Sequence, residues 1–326
     1  MRSKKKISIF EVNVLYLLLG IFLLTVGSYA QSLELFSGLL ITEFLLILLP
    51  CLLFLKLKGV SIKKTLKLNS IGLKQIILVM GITIFTYPLA VVFQAIFVGF
   101  LNVFRDLRPN VVPLPDDGIQ YVISFLIMAL APGICEEVMF RGLIMDAYRS
   151  IGYKKSIIIS ALLFGMFHFN LLNFIGPTIL GIIFGIMVYK TNSLYSSIIG
   201  HTLNNGIALT IGFFLNRFQN EIDDAVIEST VELEDIVITK GDIIAPFILL
   251  LLCFFAVKFM LDQLEPLDKD LDQFTLENIE DIDYSTDLNY FEDLTFESNK
   301  TGVISYLPVM IVVILFAFIN WFILFA

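Results

Sequence analysis

The sequence contains nine apolar runs of roughly 20 residues, and these runs constrain the fold more than any other feature. A membrane-spanning helix needs about 20 apolar residues to cross about 30 Å of hydrocarbon. Charged residues make up only 16% of the 326 residues, whereas soluble domains contain about a quarter. We therefore expect an all-α, polytopic transmembrane helix bundle of about nine spans. The runs cover approximately residues 7–29, 34–57, 73–103, 119–147, 155–169, 172–190, 194–215, 243–261 and 303–325.

The basic residues near the ends of the runs predict the orientation of the bundle. They cluster at 2–6, 56–74 and 149–155, with single lysines at Lys190 and Lys258. If all nine runs cross the membrane, these positions fall on one side. Cytoplasmic loops carry the excess of Lys and Arg. We therefore expect a multi-pass protein of the cell membrane with its N-terminus in the cytoplasm.

The net charge of −8 reflects two acidic stretches, 219–240 and 262–300, rather than the apolar runs. Both stretches contain few apolar residues, so we expect them to be extended or partly disordered. Residues 281–292 follow the ligand spacing of a calcium-binding EF-hand loop, but Thr286 stands where that loop needs glycine. A solvated acidic linker is the preferred interpretation. The sequence contains no stripe of Lys and Arg residues of the kind that would indicate nucleic-acid binding.

The chain divides into three parts by sequence pattern. Residues 1–118 hold the N-terminal membrane helices, 119–215 the core helices that carry the candidate functional residues, and 216–326 the acidic loops with two C-terminal helices. Between the second and third runs, lysines alternate with apolar residues over 59–70, which predicts an amphipathic helix at the membrane surface. The three cysteines lie inside apolar runs and have no metal-binding spacing, so no disulfide framework is expected.

Ionisable side chains inside three of the runs are the candidate functional residues, because such groups cost about 2.5–3.5 kcal/mol or more in a membrane helix. The fourth run contains Glu136 and Glu137, followed by Arg141. The only two histidines of the chain are His168 in the fifth run and His201 in the seventh. A polar side chain can also serve only helix packing, and for each residue alone that interpretation competes with a catalytic one.

Helical spacing and depth favour a shared site. Glu137 and Arg141 are four residues apart and can form an ion pair, whereas Glu136 points about 100° away toward the bundle interior. Glu136, His168 and His201 lie about 20, 20 and 16 Å from the cytoplasmic ends of their helices at roughly 1.5 Å per residue. Three helices thus bring polar groups to similar depth.

Three short motifs in these runs resemble those of the CPBP family of intramembrane endopeptidases, which includes CAAX proteases and the bacteriocin-processing Abi proteins. They are Glu136-Glu137-x-x-x-Arg141, Phe164-x-x-x-His168 and His201-x-x-x-Asn205, in the family's order. The resemblance covers 119–215, under a third of the chain. It implies hydrolysis of a peptide bond in a membrane-associated protein or small peptide, for CAAX-type or bacteriocin-type processing or immunity.

The resemblance also implies a role for each motif residue. Glu136 and His168 would activate the attacking water, as general base and orienting partner. His201 and Asn205 would stabilise the oxyanion. The structural ion pair of Glu137 and Arg141 would hold the fourth helix in register.

The chemistry is open between a glutamate-dependent enzyme and a metalloprotease. Glu136, His168 and His201 would suffice as three ligands for Zn²⁺, but the sequence has no HExxH motif. The expected partners are membrane lipids and a peptide or lipid-modified protein substrate. Two alternatives remain, a proton-coupled transporter whose acidic and histidine side chains relay protons and a catalytically inert immunity protein.

Overall fold

The structure, a computed structural model, describes residues 7–107, 113–228, 240–265 and 302–325, with side chains left out at 219–228 and 240–244. The EF-hand-like residues 281–292, half of the first acidic stretch and most of the second lie outside these ranges. Every regular element in the described residues is a helix. We number the nine long helices α1 (Ile9–Leu33), α2 (Leu35–Lys58), α3 (Leu73–Asn102), α4 (Gly118–Ile151), α5 (Tyr153–Phe167), α6 (Ile175–Thr191), α7 (Leu194–Glu228), α8 (Lys240–Asp262) and α9 (Leu307–Phe325).

Eight of these helices are long and apolar enough to cross a membrane, and α5 is the exception. The all-α polytopic fold and the multi-pass assignment are therefore confirmed. α5 has only 15 residues, which corresponds to about 22 Å at roughly 1.5 Å per residue. α5 packs closely against α6: a Cβ atom added to Gly181 of α6 would lie only 2.9 Å from the Cα atom of Ala161 in α5. Small residues allow such close packing of membrane helices.

Two local expectations need correction over the residues that the structure describes. The surface segment 59–70 contains only a four-residue helix, Ile62–Thr65, because Lys67 adopts a left-handed backbone conformation with φ 49°. The carbonyl of Lys67 instead accepts a hydrogen bond from the Leu194 N–H at the start of α7. The first acidic stretch is not extended at its beginning, since the α7 backbone stays helical to Glu228.

α1 belongs to the same hydrophobic core as the helices that carry the motifs. The Tyr16 hydroxyl donates a hydrogen bond to the Leu163 carbonyl at 2.8 Å, and the Tyr16 ring contacts Phe140 and Phe167. One core thus joins the sequence parts 1–118 and 119–215.

The chain between α5 and α6 is not α-helical, and it begins beside the motif residue His168. Its backbone groups are paired by polar side chains from distant helices: Asn320 of α9 accepts from the Leu171 N–H at 2.6 Å, and Gln94 of α3 donates to the Leu172 carbonyl at 2.7 Å. Unpaired backbone groups are costly inside a bilayer, so irregular backbone needs such partners. Asn320 and Gln94 therefore fix the loop that follows His168.

Candidate active site

The first motif lies where α4 changes its helical pitch. An α-helical turn, Ala131–Glu137, stands between the π-helical segments Phe125–Leu130 and Val138–Ile144. Such π-helical turns often occur at functional sites, where they redirect side chains. The turn also approaches α7 closely, since a Cβ on Gly133 would lie 2.3 Å from the Thr202 Oγ1 atom. This approach places the two glutamates of α4 against His201.

Glu137 and Arg141 form an ion pair in the bundle interior. Arg141 Nη1 donates to Glu137 Oε1 at 2.7 Å, and both side chains have no exposed surface. The guanidinium also lies over the rings of Phe164 and Phe184, at 4.4 and 5.4 Å from their centroids. Aromatic faces attract a cation strongly when water is excluded. The Nε and Nη2 atoms of the guanidinium have no hydrogen-bond partner among the described residues. The ring faces therefore offset part of the cost of burying its charge.

Glu137 also binds the third motif. Its Oε1 atom lies 2.9 Å from His201 Nδ1, so the carboxylate accepts a hydrogen bond from that ring nitrogen. The other ring nitrogen, Nε2, lies 3.8 Å from Glu136 Oε2. Phe184 stacks on the His201 ring at 5.5 Å. Glu137 thereby fixes which nitrogen of His201 is directed toward Glu136, a contact that sequence spacing did not reveal.

The hydrogen bond of His168 defines its chemical role. The Nδ1 atom lies 3.1 Å from the Phe164 carbonyl oxygen, and a carbonyl only accepts, so Nδ1 carries a proton. In the neutral ring, Nε2 is then an acceptor. The Phe164 ring stands edge-on to both histidines, at 5.4 Å from His168 and 5.6 Å from His201. The second motif therefore supplies a basic nitrogen and the aromatic ring between the two histidines.

Asn205 is held by its neighbours on the seventh helix and on α4. Its amide donates to the Met128 carbonyl at 3.3 Å, and its side-chain oxygen accepts from the Asn204 amide at 3.1 Å. Both asparagines border the same cavity as His201.

A cavity of about 500 Å³, the main cavity, brings the motif residues together. Glu136, His168, His201 and Asn205 all line it, together with apolar side chains from α3 and α6. The ion pair lies behind its wall, and the Glu136 side chain keeps 14% of its surface exposed. A largely apolar pocket with a few converging polar groups is the usual form of a ligand site.

Sequence reasoning missed one carboxyl of this site. Glu43, in the π-helical segment Ile41–Leu48 of α2, borders the main cavity although it lies far from the motifs in the sequence. It is only 4% exposed, and its Oε2 atom has no hydrogen-bond partner among the described residues. The signal was present, since a lone glutamate in an apolar run indicates function by default.

The donor set does not match a zinc site. In the described ranges, no three His, Cys, Asp or Glu side chains are grouped as metal ligands. All three cysteines are buried and unpaired. These side chains therefore do not fit a bound zinc ion.

Comparison with protein families gives one result that bears on this site. Residues 118–207 match the family model described as type II CAAX prenyl endopeptidase Rce1-like. Comparisons with curated proteins and with solved structures gave no match. The matched segment includes all three motifs, and with them Glu136, His168, His201 and Asn205, which line the main cavity. Residues 118–207, the Rce1-like segment, are therefore similar to this family of prenyl endopeptidases, which confirms the resemblance drawn from the motifs.

Proposed function

We propose that this protein is an endopeptidase that hydrolyses a peptide bond of a membrane-associated, CAAX-type substrate in the main cavity. The observation that carries the proposal is the convergence of Glu136, His168, His201 and Asn205 on one cavity beneath a buried ion pair. The family match over 118–207 supports the same reaction class. The apolar lining suits a lipid-modified peptide better than a polar metabolite.

In the proposed mechanism, Glu136 is the general base. Its carboxylate takes a proton from water, and the basic Nε2 of His168 orients that water. The resulting hydroxide attacks the scissile carbonyl carbon and forms a tetrahedral oxyanion. Glu136 then returns the proton to the leaving amine as the C–N bond breaks. Water is thereby divided between the new carboxyl group and the new amine.

His201 and Asn205 would hold the oxyanion. With Nδ1 donating to Glu137, His201 would donate to the oxyanion from Nε2 as the doubly protonated imidazolium, which lies between the carboxylates of Glu137 and Glu136. The Asn205 amide supplies the second donor. Removal of one such donor typically lowers kcat by about 10²–10³-fold. The role of Glu137 is then to position His201, in addition to pairing with Arg141.

The test uses the full chain purified in detergent with a panel of farnesylated and unmodified peptides ending in a CAAX box. We expect cleavage by the wild type, and loss of about 10²–10⁴-fold in kcat for Glu136→Gln and His168→Ala without loss of thermal stability. Glu11→Gln is the matched control, because Glu11 pairs with Lys58 at the bundle periphery. Equal activity of Glu136→Gln and wild type would rule out the proposed base.

A further inference from the structure

A second cavity of about 270 Å³, the rear cavity, lies on the other side of the candidate catalytic residues. Glu136, His168 and Glu43 line both this cavity and the main cavity. The remaining lining comes mainly from α1 and α2, outside the Rce1-like segment. The two cavities therefore meet at the groups proposed to activate water.

The rear cavity is polar on the side of α1 and α2. Ser28, Gln31, Thr42 and Glu43 line it, and the Gln31 amide donates to Thr42 Oγ1 at 3.0 Å. These side chains stand between two membrane helices, where apolar residues would pack at no cost. Polar groups inside a membrane protein usually face one another or a water-filled cavity. The arrangement therefore calls for a polar occupant.

Glu43 gives the second, independent indication. Its Oε2 atom is buried without a hydrogen-bond partner among the described residues, and its side chain lines the rear cavity together with Glu136. A buried carboxyl without partners is strongly unfavourable. Water in a polar cavity removes that cost if it finds two to four polar partners and enough room. The rear cavity provides both.

We propose that the rear cavity is a binding site for a small cluster of water molecules, anchored by Glu43, that supplies the nucleophile to Glu136 and His168. Substrate occupies the main cavity, whose walls are largely apolar, and would displace water from that side. A separate store behind the two catalytic groups keeps the nucleophile available while substrate is bound. The second part of this inference, the supply of water to the reaction, rests on the proposed function.

The position of Ser28 indicates where the cavity fills. Ser28 is exposed, whereas Thr42 and Glu43 are buried. The exposed part of the rear cavity therefore lies toward the end of α1, and its buried part lies at Glu43.

The presence of water can be tested without any substrate by X-ray hydroxyl-radical labelling. In this method, X-rays split bound water into hydroxyl radicals, which oxidise adjacent buried side chains. Phe167 and Phe169 line the rear cavity although they are only 3% and 6% exposed. Phe140, with 0% exposure, lines neither cavity and is the matched control. We expect labelling of Phe167 and Phe169 well above that of Phe140 in the wild type, falling to the Phe140 level in Glu43→Leu. Labelling at the Phe140 level in the wild type would overturn the proposal.

The supply of water is tested by kinetics on the same variants. Glu43→Leu removes a buried carboxyl whose Oε2 atom has no hydrogen-bond partner among the described residues, so its unfolding temperature should not fall. Its kcat should fall at least about tenfold while KM stays within about threefold, and Glu43→Gln, which still binds water, should keep most of the activity. Val91→Phe, which narrows the main cavity alone, should instead raise KM. Unchanged kcat in Glu43→Leu would refute the supply role, whereas an inactive wild type with labelled phenylalanines would refute only the proposed function.

Discussion

Glu137 and His201 are 64 residues apart in the sequence, yet Oε1 of the carboxylate lies 2.9 Å from Nδ1 of the imidazole. The same oxygen accepts from Arg141 at 2.7 Å. One buried atom thus joins the ion pair of α4 to the candidate oxyanion donor of α7. From the motif alone, Glu137 is expected to affect mainly protein stability. The contact with His201 adds an effect on activity.

The first prediction concerns the charge of Glu137. Glu137→Gln keeps the shape of the side chain but leaves the Arg141 charge buried without its partner, which should lower stability by about 3–5 kcal/mol. Cleavage measured below the unfolding temperature should also fall at least about tenfold, because His201 loses its orienting acceptor. The exposed pair Asp146–Arg149 offers a control: Asp146→Asn should cost less than about 1 kcal/mol and leave cleavage intact. A Glu137→Gln protein with normal kcat would show that the His201 contact has no catalytic role.

The second prediction concerns Phe184, which the sequence did not single out. Phe184→Leu keeps an apolar side chain but removes the ring that stacks on His201 and faces the Arg141 guanidinium. A desolvated cation–π contact is worth about 2 kcal/mol, so the unfolding temperature should fall accordingly. Phe214→Leu is the control, because Phe214 is 59% exposed on the surface of α7. Equal stability of the two variants would argue against the contribution of the ring face.

The third prediction concerns the close approach of α4 and α7. In Gly133→Ala the new Cβ would meet Thr202 Oγ1 at 2.3 Å and the Thr202 backbone nitrogen at 3.1 Å. The helices must move apart, which should lower the free energy of unfolding by about 1–3 kcal/mol. The same movement should separate Glu137 from His201 and thereby reduce the rate of cleavage. Gly99→Ala on α3 meets nothing within 4 Å and should be neutral or stabilising by up to about 1 kcal/mol. The pair can be compared by thermal unfolding and peptide cleavage in one detergent.

The fourth prediction concerns α9, which lies outside the Rce1-like segment. Asn320→Leu removes the acceptor of the Leu171 N–H and leaves that backbone group unpaired. A lost partner for a buried donor costs about 1–3 kcal/mol, and the loop after His168 should loosen. We expect a lower unfolding temperature and a lower kcat, with Trp321→Leu, at a 60% exposed position, as the neutral comparison. If Asn320→Leu cleaves at the wild-type rate, α9 only anchors the bundle.

The fifth prediction concerns metal. Among the described residues, no three His, Cys, Asp or Glu side chains are placed to hold a metal ion, Glu136, His168 and His201 included. Cleavage should therefore survive exhaustive chelation. Chelator and added Zn²⁺ should be tested on the wild type, with elemental analysis of the purified protein. Activity that disappears with chelator and returns with Zn²⁺ would restore the metalloprotease alternative.

The spans could be predicted from sequence because hydropathy sets them directly: the run at 73–103, for example, corresponds to α3 (Leu73–Asn102). The motif residues could be identified from the sequence because charged groups stand out in apolar runs. The contact between Glu137 and His201 could not be predicted, since it depends on the close approach at Gly133 and on the π-helical turns of α4. Asn320 and Gln94 were missed because only the structure shows the irregular backbone that they pair.

The shortness of α5 carries a consequence for the surrounding lipid. At about 22 Å it would fall roughly 8 Å short of a 30 Å hydrocarbon layer. The loop after His168 continues the chain inside the protein, where Gln94 and Asn320 pair its backbone groups. The candidate site thus borders irregular backbone at membrane depth, and the length of the surrounding acyl chains is the property of the bilayer to vary when cleavage is measured.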